Sequence, residues 1–123
     1  MAHIVIMGAG LGGMPAAYEM RDKVDKKHKV TVVSDSENFQ FVPSNPWVAV
    51  KWRERAQVEM PVRKYLERKG IDFISTGVKR VHPDQNQLEL NDGKTVNYDY
   101  LVIATGPKLA FDEIEGFGPQ GHT

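Results

Sequence analysis

The sequence predicts an α/β fold with a parallel sheet and an added β-meander, and three observations carry that expectation. The chain opens on an apolar run, a cluster of glycines and a helix-forming stretch in immediate succession. Further apolar runs of strand length alternate with helical stretches down the chain. Near the end, the alternating segment "QLELNDGKTVNY" pivots on Asp92-Gly93, a strong hairpin turn.

Each element follows from its residues. Ile4, Val5, Ile6 and Met7 form a short, β-branched run of the kind buried on both faces of a parallel sheet. Gly8, Gly10 and Gly13 then fall on the spacing G-x-G-x-x-G, with Gly12 as an extra glycine. Gly8 permits the tight turn, Gly10 admits a pyrophosphate to the backbone, and Gly13 lets the next helix pack close to the strand. From Met14 the chain reads as helix, with Pro15 in the first turn and Ala16, Ala17 and Met20 continuing it. Free amides and the positive end of the helix dipole would face the phosphates. The bland alternative, a glycine turn that only makes room for packing, fits a lone motif better than one framed by strand and helix. The unit therefore reads as a Rossmann-like dinucleotide-binding domain.

"DKVDKKHK" is a charged helix end and turn, and Val30 to Val33 form the second strand. A long aromatic segment, "SENFQFVPSNPWVAVKWRER", reads as a loop without structure of its own. Val58 to Lys69 reads as a helix with Val58, Val62, Tyr65 and Leu66 on one face, Pro61 in its first turn and Gly70 as its C-terminal cap. Ile71 to Ile74 is a third strand, the meander follows, and "YLVIATG" reads as a final buried strand.

Composition narrows the function. The chain has 123 residues, the size of one domain and short for a complete dinucleotide enzyme. Lys plus Arg and Asp plus Glu are equal at 16 each, which gives no pointer to nucleic acid. His3, His28, His82 and His122 show no ligand spacing, so no metal site is expected. No stretch has the length of a membrane span, and a strand starting at Ile4 leaves no room for a signal peptide. The chain itself is thus expected to be soluble. With no cysteine, it offers neither a disulfide nor a thiol nucleophile. The Gly/Pro-rich ending "EGFGPQGHT" suggests a cut, so residues 1–123 are expected to be the N-terminal part of a longer cofactor-binding domain. Such a part would leave apolar surface and a sheet edge uncovered, making homo-oligomers possible.

Ser34, at the tip of the second strand, and Asp35 beside it stand where an acidic residue binds the ribose in related folds. A simple turn at Ser34–Ser36 is the other reading. "TVNYDYLVIATGP" resembles the second signature of the two-dinucleotide-domain flavoproteins, through Thr95, Tyr98, Asp99, Leu101, Ala104, Thr105 and Gly106. Its threonine lies closer to the tyrosine than in the commonest form. The paired signatures imply FAD as the dinucleotide.

The loop "FQFVPSNPW", with "YLERKGIDFI" and "YDYLVIATGPKLAF", strongly resembles sulfide:quinone oxidoreductases, and the likeness spans essentially the whole chain. It implies that Gly8, Gly10, Leu11, Gly12 and Gly13 surround the pyrophosphate. It places Ser34 and Asp35 at the ribose, and Pro43, Ser44 and Asn45 along the flavin. Gly77 and Val78 would meet the adenine, and Thr105 and Gly106 the middle of the cofactor. The flavin would be non-covalent, because the related flavocytochrome c subunit attaches it through a loop cysteine that this chain lacks.

The resemblance also implies sulfide and quinone as substrates of the full-length enzyme, with membrane contact through a C-terminal part and a peripheral location. Catalytic residues are not expected within residues 1–123, since the redox cysteines lie elsewhere, and the fragment alone is expected to be inactive. Two alternatives stand: another flavoprotein such as a type II NADH dehydrogenase, or a stand-alone NAD(H)- or nucleotide-binding module.

Overall fold

The computed structural model describes residues 1–120; Gly121, His122 and Thr123 lie outside the described residues, and with them the last histidine weighed above. Strand β1 (His3–Met7) runs into the glycine loop and helix α1 (Gly13–Lys23), and strand β2 (Lys29–Val33) returns beside β1. After β2 come a short strand β3 (Asn38–Gln40), a helical turn at Val42–Ser44 and helix α2 (Asn45–Ala49). A second turn at Arg55–Gln57 leads into strand β4 (Glu59–Pro61). Helix α3 (Arg63–Arg68) precedes strand β5 (Asp72–Ile74). Strands β6 (Val78–His82), β7 (Gln87–Leu90) and β8 (Thr95–Asn97) form the meander, and β9 (Tyr100–Ile103) is the last strand.

The main sheet has the order β5-β2-β1-β9 and is parallel throughout. Alternation along β1 and β2 divides the core between its two faces. Ile4, Ile6, Val30 and Val32 pack with Met14 and Ala17 of α1 and with Val62 and Leu66 beside and within α3. Val5 and Val33 point the other way, onto Leu88, Leu90 and Tyr98 of the meander. The meander therefore occupies the layer that a second set of helices fills in other doubly wound sheets, and it forms the crossover from β5 to β9.

The C-terminus of α3 explains why β5 begins where it does. Gly70 adopts φ +77°, its amide donates to the Glu67 carbonyl at 2.9 Å, and the Ile71 amide donates to Leu66 at 2.9 Å. This is the paired bonding of a Schellman cap, with Ile71 and Leu66 both fully buried beneath it. Ile71 is thus part of the cap, and the strand starts at Asp72.

Three sequence expectations need correction. The aromatic segment after β2 is not structureless: β3 pairs antiparallel with β4, Phe39 opposite Met60 and Gln40 opposite Glu59, enclosing α2. The helix expected from Val58 begins at Arg63, because Glu59 to Pro61 are taken into that ribbon. Pro61, which has no amide to donate, closes a strand rather than opening a helix. Finally, β9 is not buried on both faces. It is an edge strand, with Tyr100 65% and Ile103 61% exposed.

Candidate functional site

The strands of the main sheet all end on one side, and a cleft of about 800 Å³ opens there. Its floor is the turn from β1 into α1, its flanks are the tip of β2 and the segment after β9, and the β3–β4 ribbon walls it on one side. This is the carboxyl-end crevice where doubly wound sheets bind ligands. A smaller hollow of about 260 Å³ lies at the opposite ends of the strands, among Met1, His28, Lys29 and Asp72.

The glycines of the first motif do three different things. Gly8 adopts φ +111°, and a Cβ there would overlap the carbonyl of Ala104. Its amide donates to the Val33 carbonyl at 2.7 Å, and the Ala104 amide donates to Met7 at 2.8 Å, so the turn is tied to both neighbouring strands. A Cβ on Gly13 would overlap the Gly8 carbonyl, which is the close helix–strand packing expected of the third glycine. Gly10 has no heavy atom within 4 Å of the position a Cβ would take, and it lines the cleft. The fold itself does not need Gly10 to be bare. A group entering the cleft does.

Helix α1 begins with Gly12 as its N-cap, without a side-chain cap and without an acidic residue in the first turn. Inside the helix the Met14 amide is already bonded to the Gly10 carbonyl at 3.0 Å and Pro15 has no amide hydrogen, so the backbone offered to an anion is that of the turn before it. Leu11 and Gly12 line the cleft beside Gly10.

Ser34 and Asp35 both line the cleft at the β2 tip. The Ser34 hydroxyl accepts from the Ser36 amide at 3.2 Å, so the local turn and exposure to the cleft coexist in one residue. Val78 lines the cleft. Gly77 stands behind it: its amide donates to the Ser34 carbonyl at 2.8 Å and its carbonyl accepts from Asn91 at 3.2 Å. At φ +78°, with the Asn91 side chain and Asp35 against it, Gly77 supports the β2 tip.

Thr105 and Gly106 line the far flank, and Asn45 the ribbon side. Pro43 and Ser44 do not line the cleft; Ser44 is buried, its hydroxyl accepting from Arg53 at 3.4 Å. The Arg53 guanidinium also sits 3.9 Å above the Trp47 ring, so this stretch is braced from within.

The Tyr98-Asp99 pair of the second signature lies away from the cleft. Tyr98 is buried under the meander, and Asp99 Oδ2 accepts from the His3 amide at 2.6 Å while the Asp99 amide donates to the His3 carbonyl at 2.8 Å. These residues dock β9 beside β1.

Sequence reasoning missed Asn38, Gln40, Arg55 and Glu59, which all line the cleft. Asn38, Gln40 and Glu59 arrive there through the β3–β4 pairing, and Arg55 through the turn that leads into β4. The pairing joins residues 19 to 23 positions apart and leaves no local periodic signal.

A family model described as pyridine nucleotide-disulphide oxidoreductase matches residues 2–123. The chain belongs to that family. It is 39% identical over 109 residues to the sulfide-quinone reductase of Aquifex aeolicus, covering 89% of this chain and 25% of the relative. It is 31% identical over 113 residues to the mitochondrial sulfide:quinone oxidoreductase of Dictyostelium discoideum, covering 92% of this chain and 25% of the relative. The solved structure of the Aquifex aeolicus enzyme superposes with a TM-score of 0.86 at 39% identity, over 90% of this chain and 26% of that one. The parallel sheet and glycine turn are therefore the Rossmann-like fold expected from the sequence. The chain spans about a quarter of the length of these relatives.

Among the described residues, no group of three or more acidic or histidine side chains could hold a metal ion, and no helix is long and apolar enough to cross a membrane.

Proposed function

We propose that the cleft binds FAD non-covalently, and that this chain is the FAD-binding part of a sulfide:quinone oxidoreductase. The observation that carries the reading is Gly10: it is open on the cleft side, at the uncapped start of α1, where the fold makes no use of its missing side chain. Leu11 and Gly12 would present backbone amides to the pyrophosphate, while Gly13 would hold the helix end in place. Ser34 and Asp35 would accept the ribose hydroxyls, and Val78 would lie against the adenine. Asn45 would border the flavin half, with Pro43 and Ser44 supporting it from behind, and Thr105 and Gly106 would border the middle of the cofactor. Gly77 would act through the β2 tip that it buttresses.

Bound FAD supplies two-electron redox chemistry; the chain's part is to bind and orient it. Sulfide and quinone are the substrates proposed for the whole enzyme, with membrane contact through a C-terminal part and a peripheral location. Self-association is proposed from the exposed edge strand β9. No residue of this chain is assigned a role in sulfur chemistry, since it contains no cysteine.

The test is titration of the protein with FAD, followed by denaturation and filtration. Saturable quenching of flavin fluorescence, with all flavin recovered in the filtrate, supports the proposal. Absence of binding rejects the cleft as a flavin site, and flavin retained on the denatured chain rejects the non-covalent mode.

A further inference from the structure

Three charged residues line the cleft among the described residues, and only one is a cation: Asp35 and Glu59 stand against Arg55. A dinucleotide brings two negative charges on its pyrophosphate, and the start of α1 offers only about half a positive charge. The balance of charge turns on Arg55.

Its setting is built. Glu59 lies in β4 with its side chain 16% exposed, and its Oε1 accepts from Arg55 Nε at 2.7 Å. Arg55 opens a turn closed at both ends, since the Glu54 and Gln57 side chains reciprocally cap its backbone. The pair fixes the guanidinium through Nε alone. Neither Nη group has a protein partner among the described residues, and with the Arg55 side chain 79% exposed the rest of the fork stands open to solvent at the rim of the cleft. Arg55 and Glu59 line the same cleft as Gly10, Leu11 and Gly12 of the glycine turn, and Gln40, opposite Glu59 in the ribbon, lines it with them.

We propose that Arg55 binds the pyrophosphate of the dinucleotide, and that Glu59 aims the guanidinium while drawing off part of its charge. The assignment rests on the cleft being a dinucleotide site and names a specificity residue that the glycine motif does not contain. It makes two opposite demands. Removing Arg55 weakens binding of any ligand with the phosphates; neutralising Glu59 frees the guanidinium and strengthens it.

The experiment compares wild type with Arg55→Gln, Arg55→Lys and Glu59→Gln by calorimetric titration of FAD, ADP and adenosine over a range of salt, with thermal melts as the folding control. Arg55→Gln is expected to weaken FAD and ADP alike by roughly ten-fold, the scale of one charged hydrogen bond, and to flatten the salt dependence. Adenosine binding is expected to stay the same. Arg55→Lys, which keeps the charge but loses the fork, is expected to fall between. Glu59→Gln is expected to tighten ADP. Loss of FAD affinity with ADP unchanged would place Arg55 at the flavin end and overturn the assignment. Weaker ADP binding by a folded Glu59→Gln protein would also overturn it, by showing the pair to be scaffolding. If Glu59→Gln does not fold, the Arg55 variants and their salt slopes decide alone. Failure of wild type to bind FAD or ADP would instead reject the dinucleotide site.

Discussion

Gly8 sits against the carbonyl of Ala104, so closely that no side chain fits between them. The first glycine of the opening motif and the A-T-G segment of the closing one are thus a single contact, although 95 residues of chain separate them. Each signature shapes the other's backbone. A Gly8→Ala change meets both this overlap and a φ of +111°. The expected cost is about 3 kcal/mol or more, measured as a shift of the urea midpoint at unchanged slope. A shift well below that would show the strand ends to be freely adjustable.

Gly10 and Gly13 separate binding from folding. Gly10→Val projects into open cleft, so the protein is expected to retain its melting temperature and lose flavin affinity. Gly13→Ala drives a methyl group into the Gly8 carbonyl and is expected to destabilise by about 1–3 kcal/mol. Circular dichroism melts and flavin titration on the two variants check the contrast.

Asp99 provides a test of what a signature residue does. It accepts the His3 amide and returns its own amide to His3, away from the cleft. Asp99→Ala is expected to cost about 1–2 kcal/mol of stability and to leave flavin affinity unchanged where the protein is folded. Denaturant melts and flavin titration, run in parallel, give both numbers.

His3 gives the molecule a dependence on pH. Burial, helped by the nearby positive charge of Lys29, holds its imidazole below the ordinary value of 6.5, against the opposing pull of the Asn97 backbone and of Asp72 and Asp99. Its Nε2 lies 2.7 Å from the Thr31 hydroxyl. As pH falls through 6.5 the unfolded chain takes up a proton before the folded one does. The contribution of His3 is therefore full above that value and is lost as pH falls through the lower folded value. Melting temperatures of wild type are expected to drop on acidification more steeply than those of His3→Gln. Parallel curves for the two proteins would contradict this.

Much of the site was legible because its parts are local. A β-branched run, a glycine at each required offset and a helix former occupy residues 4–20, and β1, the turn and α1 lie there. The A-T-G strand and the Asp92-Gly93 turn were legible for the same reason. The β3–β4 ribbon was not. Each strand has three residues, too few for a period to show, and the pairing of Gln40 with Glu59 is decided by tertiary contacts. The same pairing pre-empted the first turn of the expected helix at Val58, whose apolar face reads identically in either structure. Val58 is buried all the same. The exposure of β9 was missed because an apolar sequence signals strand but not position in the sheet.

The central claim is that the cleft at the strand ends is a dinucleotide site, and the most direct measurement is backbone amide NMR of the protein during titration with FAD. The largest shifts are expected at Gly10, Leu11 and Gly12, followed by Ser34, Asp35, Thr105 and Gly106. Shifts gathered instead around His28 and Lys29 at the opposite ends of the strands, or none at saturating FAD, would contradict the account.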